Sequence, residues 1–134
     1  MSYFSIDELC HSETAVEKGI DNTPNHVQSA HLYCLIVHLL DPIREFVGHP
    51  ILVTSGFRCP ELNKLVGGKP QSQHLLGQAA DIVCAELNSD LLYEEILKSD
   101  IEFDQLILEN VGGKKWVHVS YHQNNNRKQA FKIG

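Results

Sequence analysis

The stretch over residues 72–81 constrains this chain more than any other, because it places an imidazole and a carboxylate around small side chains. It reads Ser-Gln-His-Leu-Leu-Gly-Gln-Ala-Ala-Asp, so that His74 and Asp81 are seven positions apart. A later strand-like run, residues 116–120, contributes His118. Two imidazoles and one carboxylate can hold a zinc ion and leave one coordination position open for water. These three side chains therefore predict a zinc site drawn from two distant parts of the chain.

A second indication of a metal is the apolar setting of Asp81. Residues 79–84 are predicted to form a buried strand, on which Ala79, Asp81 and Val83 share one face. A carboxylate buried there without a partner costs free energy, which a bound cation would offset. The alternative is an exposed carboxylate at a strand edge, which we would prefer if His74 did not come seven residues earlier.

Local patterns predict short helices and strands along the whole chain. Helices are expected within the first 24 residues and over 25–47, 60–66 and 87–99, and strands over 51–54, 79–84, 104–109, 116–121 and 129–133. Pro42 should kink or split the second helix, because its ring displaces the carbonyl one turn back. A chain of 134 residues suffices for one domain with a sizeable core, and we expect residues 1–134 to form it.

A predicted hairpin brings a second carboxylate toward His118. The glycine-rich turn at residues 112–114 joins the strands over 104–109 and 116–121 as an antiparallel pair. By the two-residue period of a strand, Glu109 lies on the face that matches the face of His118. The alternative for Glu109 is a solvated charge at the end of a strand.

Arg58 follows the predicted strand over 51–54 and a Gly turn. Its guanidinium group can clamp a carboxylate through two parallel hydrogen bonds. An ordinary surface salt bridge is the alternative, and the residue taken alone favours it.

Composition and charge exclude several classes of protein. The net charge is −6 with no basic stripe, which argues against nucleic acid as the main partner. The longest apolar run, residues 32–37, is far too short to cross a bilayer, so no membrane insertion is expected. The first residues lack the pattern of a secretory signal, which predicts synthesis in the cytoplasm. The four cysteines contain no C-x-x-C pair, and we expect four reduced thiols.

The central motif, Ser-x-His-x-x-Gly-x-Ala-x-Asp followed by Trp-x-His, resembles the zinc D-alanyl-D-alanine carboxypeptidase family. That family includes the VanX-type dipeptidases and the endolysin peptidases of phages, and its fold is shared with the hedgehog signalling domain. The resemblance extends to residues 54–58, to Asn63 and to residues 67–68, and it covers nearly the whole chain.

The resemblance implies an α+β fold, with a small antiparallel β-sheet and helices packed on one side. It implies a bound Zn²⁺ with His74, Asp81 and His118 as ligands, and a peptidoglycan stem peptide as substrate, cut by a monomer. It also implies that Arg58 acts in catalysis and substrate binding. Further residues implied to bind substrate are Ser72 and Trp116.

The general base implied by the resemblance is a Glu, and here the chain departs from the pattern. In the VanX and endolysin pattern this Glu stands three residues before the second zinc-binding His, where this chain has Lys115. Glu109 is the nearest upstream candidate and Asp104 is the fallback. The implied reaction is hydrolysis by metal-activated water, with the Glu accepting its proton.

Two other classes remain open alongside the peptidase. One is a zinc-containing module that binds peptidoglycan without cleaving it, and the other is a structural component of a phage particle. The residues leave open whether a terminal D-Ala or an internal bond is cut. We expect the protein to reach the cell wall after release from the cytoplasm, as a phage- or prophage-encoded protein would.

Overall fold

The computed structural model of the protein describes residues 2–134 and is built around a five-stranded sheet. The strands are Ile51–Ser55 (β1), Ala79–Cys84 (β2), Gln105–Val111 (β3), Lys114–Ser120 (β4) and Gln129–Ile133 (β5). They lie in the order β1-β2-β4-β3-β5. Every neighbouring pair is antiparallel except β3 and β5, which run parallel. The α+β class is confirmed, and β5 makes the sheet mixed where a purely antiparallel one was expected.

Six α-helices, one π-helical segment and one 3₁₀ helix complete the described part of the chain. The α-helices are Ile6–Cys10 (α1), Glu13–Lys18 (α2), His26–Leu35 (α3), Asp41–Val47 (α4), Pro60–Leu65 (α5) and Ser89–Lys98 (α6). A π-helical segment, Ile36–Leu40, joins α3 to α4, and a 3₁₀ helix spans Gln73–Leu76. Side-chain caps define several of the starts: Ser5 begins α1, Asn25 begins α3 with a capping box, and Asn88 begins α6.

Pro42 splits the long predicted helix, as expected. Proline has no backbone N–H, and its ring crowds the carbonyl four residues back. The chain adapts one residue earlier, where the N–H of Asp41 bonds to the carbonyl of Ile36 rather than to the residue four positions back. A π-type turn with five-residue spacing therefore separates α3 from α4.

One face of the sheet packs against the helices, and the two-residue period places the candidate ligands of β2 and β4 on the other face. Alternate residues of β2, β3 and β4 enter the core beside apolar residues of α3, α4 and α6, with Ala80, Ile82, Leu106, Leu108, Val117 and Val119 supplied by the strands. The helices thus cover one side of the sheet, which confirms that expectation. The opposite face carries Asp81, His118 and Glu109.

Two expectations from composition can be compared with the structure. Within residues 2–134, no helix combines the length and apolar character needed to cross a membrane. The four cysteines are free, with Cys84 buried and the others partly buried. Burial, with a smaller contribution from Asp7, raises the pKa of the Cys10 thiol to about 11.

Candidate metal centre

Two of the three predicted ligands face each other across adjacent strands. Asp81 on β2 pairs with His118 on β4, and on its other side Asp81 pairs with Ser55 at the end of β1. Because directly opposed residues of neighbouring strands point to the same face, Asp81 and His118 are brought together by backbone pairing alone. Both side chains are largely buried.

The third ligand, His74, is presented by the short 3₁₀ helix just before β2. The hydroxyl of Ser72 accepts a hydrogen bond from the backbone N–H of His74, and so caps this helix. Gly77 ends it in a left-handed conformation with φ of 75°. The carbonyl of His74 accepts from the backbone N–H of Arg58 at 3.1 Å, which ties the turn to the segment after β1.

The spacing of the donor atoms fits a tetrahedral ion. Oδ1 of Asp81 lies 3.3 Å from Nε2 of His74 and 3.0 Å from Nδ1 of His118. All three donor atoms lie within 4.8 Å of one another. Zinc bonds to N and O of about 2.0–2.1 Å place neighbouring ligand atoms about 3.3 Å apart in a tetrahedron. His74 through Nε2, Asp81 through Oδ1 and His118 through Nδ1 would therefore hold the ion, with a fourth position left for water.

The second nitrogen of His74 has its own partner. Nδ1 lies 2.7 Å from the carbonyl oxygen of Gly56 and donates to it, because a carbonyl can only accept. That bond fixes the tautomer with the Nε2 lone pair available for a cation. The same Gly56 lies against the backbone of Leu9, where a Cβ atom would overlap the Leu9 carbonyl. Glycine is thus required at position 56 for packing, while its carbonyl orients a ligand.

Asp81 is held as an anion. Burial raises the pKa of its carboxyl group, but contacts with the imidazoles of His118 and His74 outweigh burial and hold the pKa below its ordinary value. Its second oxygen, Oδ2, lies 3.5 Å from the guanidinium of Arg58. A carboxylate must be deprotonated to bind a metal, and this one meets that condition well below neutral pH.

Arg58 lies beside the ligands and is positioned by three side chains. Its Nε donates to the Ser55 hydroxyl at 3.0 Å, one Nη donates to Asn63 at 3.1 Å, and the other faces Asp81. Burial lowers the pKa of Arg58, while the negative charges of Asp81 and Glu109 oppose this shift. Five N–H groups are available on a guanidinium, so two remain for another group.

Glu109 reaches the ligand cluster, whereas Asp104 does not have a free carboxylate. Oε2 of Glu109 is 3.8 Å from Nδ1 of His118, the nitrogen that faces Asp81. Both oxygens of Asp104 accept hydrogen bonds from Arg127 at 2.8–2.9 Å, and this contact is the main cause that lowers the Asp104 pKa. The geometry therefore selects Glu109 over Asp104 as the available carboxylate. Lys115, at the position of the acid in the related pattern, pairs instead with Asp90 at 3.0 Å.

The two other predicted substrate-binding residues have different surroundings. The Ser72 hydroxyl accepts one hydrogen bond as a helix cap and keeps its own O–H for donation. Trp116 pairs with Glu109 across β3 and β4, and its indole Nε1 is buried with no hydrogen-bond partner among the described residues. Both side chains retain a donor, and their contact with substrate stays a prediction.

Sequence reasoning did not assign a role to two residues that position Arg58. Asn63 is buried, accepts from Arg58 through Oδ1 and donates to the Lys69 carbonyl at 2.9 Å. Ser55 holds the other side of the guanidinium. The available signal in the sequence was that Asn63, on a helix that begins with Pro60, comes five residues after Arg58. That spacing alone does not predict that the two side chains pair.

Comparison with known proteins agrees with this geometry. No curated protein matches the sequence at a significant level. The sequence profile of a family described as Peptidase M15 matches residues 2–120, which include all three candidate ligands, Arg58 and Glu109. Peptidases of this family depend on zinc, in agreement with the ligand cluster. Since the match covers most of the chain, the protein belongs to the peptidase M15 family.

Proposed function

We propose that this protein hydrolyses a peptide bond in peptidoglycan stem peptides, in a zinc-dependent reaction with Glu109 as general base. Membership of the M15 family supports a metallopeptidase, and the motif resemblance supports the substrate. The single observation that carries the proposal is the position of the Glu109 carboxylate, 3.8 Å from the ligand atom of His118. A proton acceptor at this place is within reach of a water molecule in the fourth position of the ligand cluster.

Zinc bound by the three ligands would lower the pKa of its water to about 7 and polarise the scissile carbonyl. Glu109 would accept the proton of the attacking water at Oε2 and later return it to the leaving amine. Asp81 keeps Oδ1 directed at the ligand cluster because Oδ2 is held by Arg58.

Arg58 would orient the substrate with the N–H groups that Ser55, Asn63 and Asp81 leave free. Holding the scissile carbonyl in one orientation removes part of the entropic cost of reaction. A guanidinium that is itself fixed by three hydrogen bonds loses little further freedom when substrate binds. Ser72 would supply a further polar contact to the peptide, and Trp116 would contact it through the apolar part of its ring.

The position of the Glu109 carboxylate beside the ligand cluster also favours hydrolysis over a zinc module that binds peptidoglycan without cleaving it. In a module of that kind the fourth ligand position needs no carboxylate beside it. The masses of the muropeptide products distinguish cleavage of a terminal D-Ala from cleavage of an internal bond. We propose that the protein acts as a monomer on the wall after release from the cytoplasm, as expected for a phage-encoded lytic enzyme.

The test is to replace Glu109→Gln and to incubate zinc-loaded protein with muropeptides, identifying products by mass. We expect turnover to fall by about 10²–10⁴-fold while one zinc per chain is retained, because a general base contributes on that order. Glu102→Gln is the matched control, since Glu102 is exposed, precedes the same strand and should leave turnover unchanged. Unchanged turnover in Glu109→Gln would reject Glu109 as the base, and intact muropeptides with wild-type protein would reject the substrate.

A further inference from the structure

A groove of about 540 Å³ lies along the outer strand of the sheet and ends at Arg58, the neighbour of the candidate ligand Asp81. Its lining comes from β1, from α1 and α2 with the turn between them, from Arg58 and from Val66. Two of the lining residues, Ser55 and Arg58, are bonded to each other, and Arg58 also faces Asp81. The groove therefore adjoins the ligand cluster, with the Arg58 side chain between them.

The groove follows an unpaired strand edge. β1 is the first strand in the sheet order, and within residues 2–134 it pairs only with β2. Four consecutive residues of β1, Leu52 to Ser55, line the groove. Because successive side chains of a strand point to opposite faces, a cavity that touches four in a row must lie at the edge. A free strand edge offers backbone donors and acceptors to an extended peptide, which can add there as a further strand.

The opposite wall of the groove is fixed to the site. The N–H of Phe57 donates to the carbonyl of Leu9 at 2.8 Å, and Leu9 is fully buried. This contact holds the end of α1 against the segment that follows β1, next to the Gly56 carbonyl that orients His74. The groove is thus bounded by rigid elements on both sides, which favours a preformed binding site.

The charges in the groove select the kind of peptide that fits. Glu8 on α1 and Glu13 on α2 both line it, and neither forms an ion pair within residues 2–134. Arg58 is the only Lys or Arg among the lining residues. A bound side chain with an ammonium group would meet two uncompensated carboxylates, while the peptide carbonyls nearer the metal would meet the guanidinium.

We propose that this groove binds the extended peptide segment that adjoins the scissile bond, and that Glu8 and Glu13 select a residue with a free side-chain amine. The inference rests on the proposed peptidase function and narrows its substrate class to stem peptides that carry a cationic residue near the cut. Exposed charge pairs of this kind are worth a few-fold to about tenfold in affinity, and they weaken with salt.

The experiment compares two synthetic stem peptides that differ only at one lysine, which is either free or Nε-acetylated. Binding to the zinc-loaded Glu109→Gln protein is measured by calorimetry, and kcat/KM is measured with wild-type protein. We expect about a tenfold preference for the free amine in both measurements at low salt. The double variant Glu8→Gln/Glu13→Gln should reduce this ratio to less than about twofold, whereas Glu17→Gln, on α2 but outside the groove lining, should keep it.

The two measurements separate this inference from the function itself. Cleavage of both peptides without preference overturns the groove assignment and leaves the peptidase proposal standing. Binding with the amine preference but without cleavage overturns the peptidase proposal and supports the groove. A preference that survives in the double variant, or no binding of either peptide at 1 mM, also overturns the groove assignment. A single Glu13→Gln variant, with a smaller expected loss of preference, covers the case in which the double variant unfolds.

Discussion

Two polar residues at the centre of the site, His74 and Asp81, direct one polar atom at the ligand cluster and another at the surrounding protein. His74 donates from Nδ1 to the Gly56 carbonyl, which leaves Nε2 free, and Asp81 rests Oδ2 against Arg58, which leaves Oδ1 free. The outer contacts fix tautomer and orientation before any ion arrives. A change in one of these outer partners should therefore alter metal affinity without touching a ligand.

Gly77 provides a test of this idea with an internal control. Its φ of 75° suits glycine, and a Cβ there would lie 2.6 Å from the backbone oxygen of Gln28. Gly67 has a similar φ of 79° but no atom within 4 Å of the same position. Gly67→Ala should cost only the conformational penalty, about 1 kcal/mol, whereas Gly77→Ala should cost about 2–4 kcal/mol in the free energy of unfolding.

Zinc affinity should follow the same order, because Gly77 ends the 3₁₀ helix that carries His74. Urea unfolding measures the free energy of unfolding, and competition with a zinc chelator measures the zinc affinity. Equal losses in the two variants would mean that backbone conformation alone, and not the contact with Gln28, matters at Gly77.

The candidate ligands could be predicted from sequence because a motif with fixed spacing carries its own chemistry. The predicted hairpin also put Glu109 near His118, where the structure has it, since strand alternation and a glycine turn are local signals. The partners of Arg58 could not be predicted in this way. Ser55 and Asn63 meet it through side-chain geometry, which depends on rotamers and on packing between elements.

At the scale of secondary structure, the strands and helices with strong local patterns were predicted nearly to the residue. β2 and β5 match the expected ranges, and α6 lies within its expected range of 87–99. The parallel pairing of β5 with β3 was not predicted. Every residue of β5 is exposed, so its sequence has no alternation of buried and exposed residues that would indicate which strand it pairs with. The contact that anchors it, between Arg127 and Asp104, joins residues 23 positions apart.

That contact leads to a prediction for the edge of the sheet. Asp104 is buried, accepts from the backbone and guanidinium of Arg127, and its own carbonyl accepts from Gln129 at the start of β5. Arg127→Gln should lower the free energy of unfolding by about 1–2 kcal/mol at pH 7, since the half-exposed guanidinium is screened by solvent. Lys128→Gln is the control, because its ion pair with Glu102 is exposed and should contribute less than about 1 kcal/mol.

The difference in unfolding free energy between wild type and Arg127→Gln should depend on pH with a defined sign. Hydrogen bonds from Arg127 lower the Asp104 pKa in the folded protein. The stabilisation is therefore complete above the ordinary carboxyl pKa of about 3.9 and is lost as the pH falls below it toward the folded pKa. Urea unfolding of wild type and Arg127→Gln at pH 7, 5, 4 and 3 should show a difference that is constant at first and then shrinks. A difference that grows at low pH would contradict the assignment.

For the molecule as a whole, the candidate metal site joins side chains from distant segments of the chain. The ligands come from the 3₁₀ helix, from β2 and from β4, with 37 positions between Asp81 and His118. An ion that binds this arrangement and not the unfolded chain adds its binding free energy to stability. Removal of zinc should therefore lower the melting temperature of the entire domain and not of one loop.

The expected change in melting temperature on removal of zinc can be calculated from the zinc concentration. Free zinc at 100 times its Kd stabilises by about 2.7 kcal/mol, which corresponds to a shift of roughly 8–13 °C for a chain of this length. Thermal unfolding with and without a chelator should show this shift in wild type and in His26→Ala, whose side chain is exposed on α3. His118→Ala should show almost none. A shift of equal size in His118→Ala would place the bound zinc at thiols or surface imidazoles, and would exclude the three-ligand site as the position of the metal.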